Sequence, residues 1–134
     1  MNVQDLMWPH VITAESGSLA SHAGIRMTVG KISGLPVVDP EENLIGIITE
    51  FDLVRALRAD RDLAVTSVDE LMTRDVITVG ADAPVDDVME IMERERILRV
   101  PVVSDGKLVG VVSRTNILEA ALIGMYVGNG HRGA

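Results

Sequence analysis

The chain contains no cysteine, which excludes disulfides, thiolate nucleophiles and cysteine metal sites. Aromatic residues make up 2% of it, so any core must be built from Val, Ile, Leu, Met and Ala. Long apolar runs are missing as well. The longest candidate, Ile117 to Val127, is interrupted by Glu119 and Gly124 and falls short of the ~20 residues of a membrane span. The start, Met1-Asn2-Val3-Gln4-Asp5, has neither a basic segment nor an apolar run and does not read as a signal peptide. The expectation is a cytoplasmic protein that does not engage a membrane. Positive charge is short: 12 Lys and Arg against 20 Asp and Glu give a net charge of −8. That opposes a broad nucleic-acid surface, where phosphate neutralisation supplies most of the affinity, and is accounted for by solubility. A small anionic ligand needs only a local basic pocket and is left open. His10, His22 and His131 are scattered, without a histidine partner at i+4 or an acidic cluster of metal-ligand spacing, so no metal-ligating residue is assigned; a divalent cation held by acidic residues is left open. Glycine-rich phosphate loops and the nucleophile-elbow pattern are also absent from the sequence.

What the chain does have is a duplication. Val3-Gln4-Asp5-Leu6-Met7 returns as Val68-Asp69-Glu70-Leu71-Met72, Val11-Ile12-Thr13 as Val76-Ile77-Thr78, and Leu35-Pro36-Val37-Val38 as Val100-Pro101-Val102-Val103. All three share an offset of 65 residues. Leu44 to Thr49 returns as Leu108 to Ser113 at an offset of 64, after one deletion in a turn. The period is too long for a solenoid unit, which runs roughly 20–50 residues. It marks two copies of a small α/β unit, 1–62 and 63–127, followed by a flexible tail, 128–134. Each copy alone would be marginal in stability; two copies with 47% apolar residues can supply a sufficient core.

Within the first copy, Val3–Met7 reads as a short amphipathic turn and Val11–Ala14 as a strand. Ser16-Gly17-Ser18 offers a helix cap, and apolar spacing predicts a helix from Leu19 to Lys31. Gly24 and Gly30 weaken that helix by about 1 kcal/mol each. Two β-branched strands, Leu35–Val38 and Leu44–Ile48, flank the turn Asp39–Asn43, and a helix covers Glu50–Ala59. In the second copy Val85, Val88, Met89 and Met92 form a clear helical stripe, with Pro84 suited to the first helical position. Ser104–Lys107 is a tighter hairpin signal, and a last helix runs from Arg114 toward Val127. Met7, Met27, Met72, Met89, Met92 and Met125 are expected in the core. Pro36 and Pro101 are expected to end pairing at strand starts. Asp60 to Thr66 reads as a polar joint between copies.

Three features, in order and twice over, carry a family resemblance: the Leu-Met…Val-Ile-Thr opening, the apolar-Pro-Val-Val strand, and the Gly-centred strand ending in Thr49-Glu50-Phe51-Asp52 or Ser113-Arg114-Thr115-Asn116. Together, over Val3 to Leu122, they resemble the cystathionine β-synthase (CBS) domain as a tandem pair. The resemblance implies an α+β fold of two pseudo-symmetric β-α-β-β-α repeats, with sheets packed together and helices outside. It also implies homodimers formed through helices, and binding of adenosine compounds such as AMP, ADP, ATP or S-adenosylmethionine in clefts between repeats. Regulation of another protein, rather than catalysis or a required cofactor, is the implied role.

The candidate ligand residues follow from it. Asp52 would accept hydrogen bonds from ribose hydroxyls, with Thr49 beside the sugar or phosphate. Val11, Ile12, Thr13, Val76, Ile77 and Thr78 would supply an apolar wall and backbone edge for adenine, next to Pro36 and Pro101. Ser113 and Asn116 stand where the second copy repeats the Thr-x-x-Asp word, but Asn lacks the charge that strengthens a contact with a diol. Arg99 lies where the family often meets phosphate, and Arg114 is a second cation nearby; the first copy has Gly34, and Phe51 stands where the family often has Arg. Bland readings run alongside. Ser/Thr-x-x-acid is equally a helix-capping signature, and Thr49 can cap while Asp52 binds. Arg99 can form a surface ion pair with Glu93 or Glu95. Trp8, the only tryptophan, fits an anchor, a pocket mouth or a dimer surface. Two rival functions stand beside the sensor: an interaction module without ligand and, last, an enzyme acting on adenosine compounds.

Overall fold

The structure, a computed structural model, describes residues 1–124. The expected tail 128–134, Met125 and the far end of the last helix lie outside the described residues. The chain groups into two compact units. The first comprises Ile12–Val76 with Asp105–Leu108; the second comprises Met1–Val11, Ile77–Ser104 and the chain from Val109 onward. The sequence period and the spatial grouping therefore differ: the opening segment of the first copy belongs to the unit built on the second copy.

The first unit holds β1 (Ala14–Glu15), α1 (Ala20–Gly30), β2 (Gly34–Val38), β3 (Leu44–Thr49), α2 (Glu50–Arg58) and α3 (Val68–Leu71). Its sheet order is β1-β2-β3, with β1 parallel and β3 antiparallel to β2. The second unit holds a 3-10 turn at Val3–Asp5, then β4 (Val79–Gly80), α4 (Val85–Glu95), β5 (Arg99–Ser104), β6 (Lys107–Ser113), whose first two residues group with the first unit, and α5 (Arg114–Ile123). Its sheet order is β4-β5-β6. The α+β repeats expected from the resemblance are thus present.

Each core is aliphatic, as the scarcity of aromatics requires. Met27, Leu35, Val37, Ile48, Val68 and Met72 lead the first, and Val3, Val88, Val100, Val102 and Val112 the second. The central glycines of β3 and β6 have a steric reason. A Cβ on Gly46 would lie 2.6 Å from Met72 Sδ and 2.9 Å from the Thr73 carbonyl; on Gly110 it would lie 2.6 Å from Met7 Sδ and 2.9 Å from the Trp8 carbonyl. Trp8 exchanges backbone bonds with Val111 at 2.8 and 2.9 Å, as Thr73 does with Ile47 at 2.8 Å. Each Leu-Met segment thus lies across a Gly-centred strand.

Several expectations are corrected. Val11–Thr13 is not strand; pairing begins at Ala14, opposite Val37. The first helix is not capped by Ser16–Ser18. Its cap residue is Leu19, without a side-chain bond, because the Ala20 and Ser21 amides donate to the Thr66 and Leu63 carbonyls. The supposed joint therefore packs on α1, with Thr66 buried and Leu63 against the core. Pro84 is the cap residue, one place before the first helical position. Met89 is exposed, unlike Met27 and Met72. Pro36 does not end the β2–β3 ladder, which runs back to Gly34↔Thr49; only pairing with β1 stops short of it, starting at Val37. The tight hairpin is as expected: Asp105 and Gly106 both take positive φ, 51° and 79°, as a two-residue primed turn demands.

Candidate functional site

Thr49 ends β3 and caps α2 at once. Its extended φ, ψ of −123°, 166° leaves its side chain free to accept from the amide three residues on. The Asp52 amide donates to Thr49 Oγ1 at 3.3 Å, while Asp52 Oδ2 accepts from the Thr49 amide at 2.8 Å and from its hydroxyl at 3.0 Å. Asp52 Oδ1 accepts from the Arg55 guanidinium at 3.3 Å. The carboxylate is 8% exposed, and these bonds offset the cost of burying it. The capping box is therefore formed, and Oδ1 retains lone-pair capacity for one more donor.

The second copy repeats the device without the charge. Asn116 Oδ1 accepts from the Ser113 amide at 2.8 Å and the Ser113 hydroxyl at 2.9 Å, and the Asn116 amide donates back at 3.3 Å. The first helical amide is also spent in both copies, Glu50 on the Ser33 carbonyl at 2.9 Å and Arg114 on the Leu98 carbonyl at 3.0 Å. Two of the amides that could have met an anion at each helix start are thereby occupied, and side chains must decide the charge preference there.

Those side chains differ. Gly34 pairs with Thr49 across β2 and β3, and a Cβ there would sit 3.4 Å from Thr49 Cγ2. Arg99 opens β5 in the corresponding place, exposed, and among the described residues no ion pair involves it. The envisaged partner Glu95 instead pairs with Arg94 at 3.5 Å. Among the described residues the side chain of Arg114, also exposed, reaches only Thr115 Oγ1 at 3.5 Å.

The segment before each first strand leaves its middle residue outside. Ile12 is 50% and Ile77 39% exposed, whereas Ala14 and Val79, two residues on, are buried. Val11, Thr13, Val76 and Thr78 are half-buried, and Pro36 and Pro101 are buried. The chain passes from one unit to the other at Val11–Ile12 and at Val76–Ile77. Sequence reasoning missed Arg26. Its guanidinium donates to the Thr13 carbonyl and pairs with Glu15 at 3.5 Å. Its helix position is Ile91 in the second copy, and that break in the repeat was the available signal. Trp8 is exposed, with His10 edge-on at 5.7 Å. Among the described residues no group of three or more His, Asp or Glu side chains is arranged to hold a metal ion, and no helix is long and apolar enough to cross a membrane.

A profile of the CBS domain matches residues 3–59 and 68–123. L-aspartate semialdehyde sulfurtransferase of Methanocaldococcus jannaschii is 37% identical over 116 residues, 86% of this chain and 22% of that protein. The chain spans only 21% to 41% of the length of three curated relatives, this one among them. The crystal structure of the CBS domain pair of protein MJ0100, in complex with 5′-methylthioadenosine and S-adenosyl-L-methionine, is 35% identical with a TM-score of 0.75, covering 90% of this chain and 95% of that one. The crystal structure of CBSX2 in complex with AMP is 28% identical with a TM-score of 0.78, covering 90% and 96%. With matching profiles over both copies and matching folds over nine-tenths of its length, the chain belongs to the CBS domain family, as a tandem pair of CBS domains.

Proposed function

We propose that this protein is a regulatory module that binds an adenosine-containing ligand, AMP-like in the first instance, and does not catalyse. The observation that carries the reading is the Thr49–Asp52 turn: a carboxylate held almost out of water by its own helix cap, with one oxygen still able to accept. Such a group is suited to a ribose hydroxyl, as the acidic residue of dinucleotide folds is. Support comes from the similar CBS pairs solved with AMP and with S-adenosyl-L-methionine. Thr49 stands beside the sugar. In each copy the residues before the first strand and the strand proline supply apolar wall: Val11, Ile12, Thr13 and Pro36 in the first, Val76, Ile77, Thr78 and Pro101 in the second. Arg99 and Arg114 meet phosphate, and Ser113 and Asn116 form the second, uncharged copy of the turn. Binding shifts the population of a state that a partner protein reads. The protein acts as a cytoplasmic homodimer.

The second copy supplies the clean test. Because Asn116 makes the same cap bonds as Asp52, Asp52→Asn removes charge while keeping the helix start. Isothermal titration with AMP or adenosine should show binding weakened about tenfold or more, the scale of one charge-assisted hydrogen bond, with the circular dichroism spectrum unchanged. Unchanged affinity would remove Asp52 from the site. One rival has an observation in its favour: both Asp52 oxygens already have partners within the chain, as a purely structural cap would. An interaction module of that kind would bind none of AMP, ADP, ATP or S-adenosylmethionine.

A further inference from the structure

Resting on the reading that an adenosine compound binds this protein, we infer that Arg26 is a positioning residue for the base. Its guanidinium fixes the Thr13 carbonyl so that this oxygen accepts from the 6-amino group of a purine.

Residues 11–13 lie ahead of β1, and strand pairing starts only at Ala14. Their backbone groups therefore have no ladder to hold them. Among the described residues, the bond from the Arg26 guanidinium to the Thr13 carbonyl is the one hydrogen bond made by the backbone of residues 11–13. Its donor is charged, so the bond is of the stronger kind. It comes from the middle of α1, and Glu15 Oε2 stands 3.5 Å from the same nitrogen. The end of α1 meets the segment again, where a Cβ on Gly30 would lie 3.7 Å from Ile12 Cδ1. A peptide plane without pairing samples several orientations, and ordering it on binding lowers affinity. With Arg26 in place the ordering precedes the ligand. A carbonyl oxygen has two lone pairs, so the bond to Arg26 leaves one for a donor from outside. Ile12 is half exposed, and the segment is open to solvent there. An acceptor so held favours a 6-amino purine over a 6-oxo purine, which would bring oxygen against oxygen with no proton between them.

The repeat argues against a role in folding alone. The same helix position in the second copy is Ile91, partly buried against the second core. An apolar side chain serves the helix there, and building the repeat does not require a guanidinium. The Arg26 side chain is 43% exposed and adds little to the core it flanks.

The test titrates the full chain with AMP and with IMP, which share ribose and phosphate and differ in the base, 6-amino against 6-oxo. The wild type should bind AMP about tenfold more tightly than IMP. Arg26→Met and Arg26→Gln both suit a helix and lack the guanidinium. Each should weaken AMP by about fivefold and leave IMP within about twofold, with the circular dichroism spectrum and the urea midpoint preserved. An isotope label on the Thr13 carbonyl should give a resonance that AMP displaces in the wild type and displaces less in the variants. Equal weakening of AMP and IMP would overturn the inference, since Arg26 would then act on the fold at large. Unchanged AMP affinity in both variants, or a wild type without preference between the nucleotides, would overturn it as well. A wild type that binds neither nucleotide would remove the underlying ligand reading itself, a distinct result.

Discussion

Asp69 shows how single polar groups fix a segment here. Its carboxylate accepts from the Ser16 hydroxyl at 2.6 Å and the Gly17 amide at 2.5 Å. Desolvation, the largest single influence, pushes its pKa up, but these hydrogen bonds together outweigh it and leave the group below the ordinary 3.8. Glu70 is held below 4.5 by the Ser67 amide and by Arg61. A carboxylate with a depressed folded-state pKa contributes stability that is fully present above its unfolded-state value and lost as pH falls through the folded one. Urea midpoints should therefore drop as pH is lowered below about 4, and Asp69→Asn should flatten part of that drop; an equal slope in the variant would refute the assignment. The glycine at the centre of β3 gives a second residue-scale expectation. Gly46→Ala forces a Cβ against the Thr73 carbonyl at 2.9 Å, where backbone cannot easily yield, and should cost about 1–3 kcal/mol by overpacking. Gly34→Ala, whose new atom meets its neighbours only at 3.4 Å, should cost clearly less in the same denaturation series.

At the scale of elements, α2 stands out. Its inner face buries Asp52, Leu53 and Ala56, while Phe51, Val54 and Leu57 lie outside, 76%, 53% and 56% exposed. Their spacing places three apolar side chains along one exposed side of the helix. The proposed homodimer explains why such residues are tolerated there. Val54→Asp should shift the protein from dimer to monomer in sedimentation velocity, with helix content preserved; a wild type that sediments as monomer at all concentrations would contradict the proposal. Elements were also the scale at which the sequence was easiest to read. The α4 stripe and the Asp105-Gly106 hairpin were legible because periodicity and turn residues are local signals. The start of α1 was not, because its amides are met by carbonyls of Thr66 and Leu63, more than forty residues away in the chain, while Ser16 and Ser18 turn to Asp69 and Glu15.

For the molecule as a whole, the duplication announced the family and the paired caps, but not how the segments are shared. Met7 and Met72 are equivalent in the repeat, and so are Gly46 and Gly110. The pattern is satisfied equally by either pairing of segment with strand, and only the folded chain reveals that Met7 lies on Gly110 and Met72 on Gly46. The candidate site was legible for a related reason: Thr49-x-x-Asp52 and Ser113-x-x-Asn116 are short words whose geometry is local. Arg26 was not, because its contact with Thr13 spans a loop and a helix. The central claim is that the folded protein binds an adenosine compound. The most direct measurement is the unfolding free energy of the wild type with and without ligand. Adenosine, AMP or S-adenosylmethionine at about 100 times its dissociation constant should add about 2.7 kcal/mol. A melting curve that stays in place across all of these, and across ADP and ATP, would contradict it.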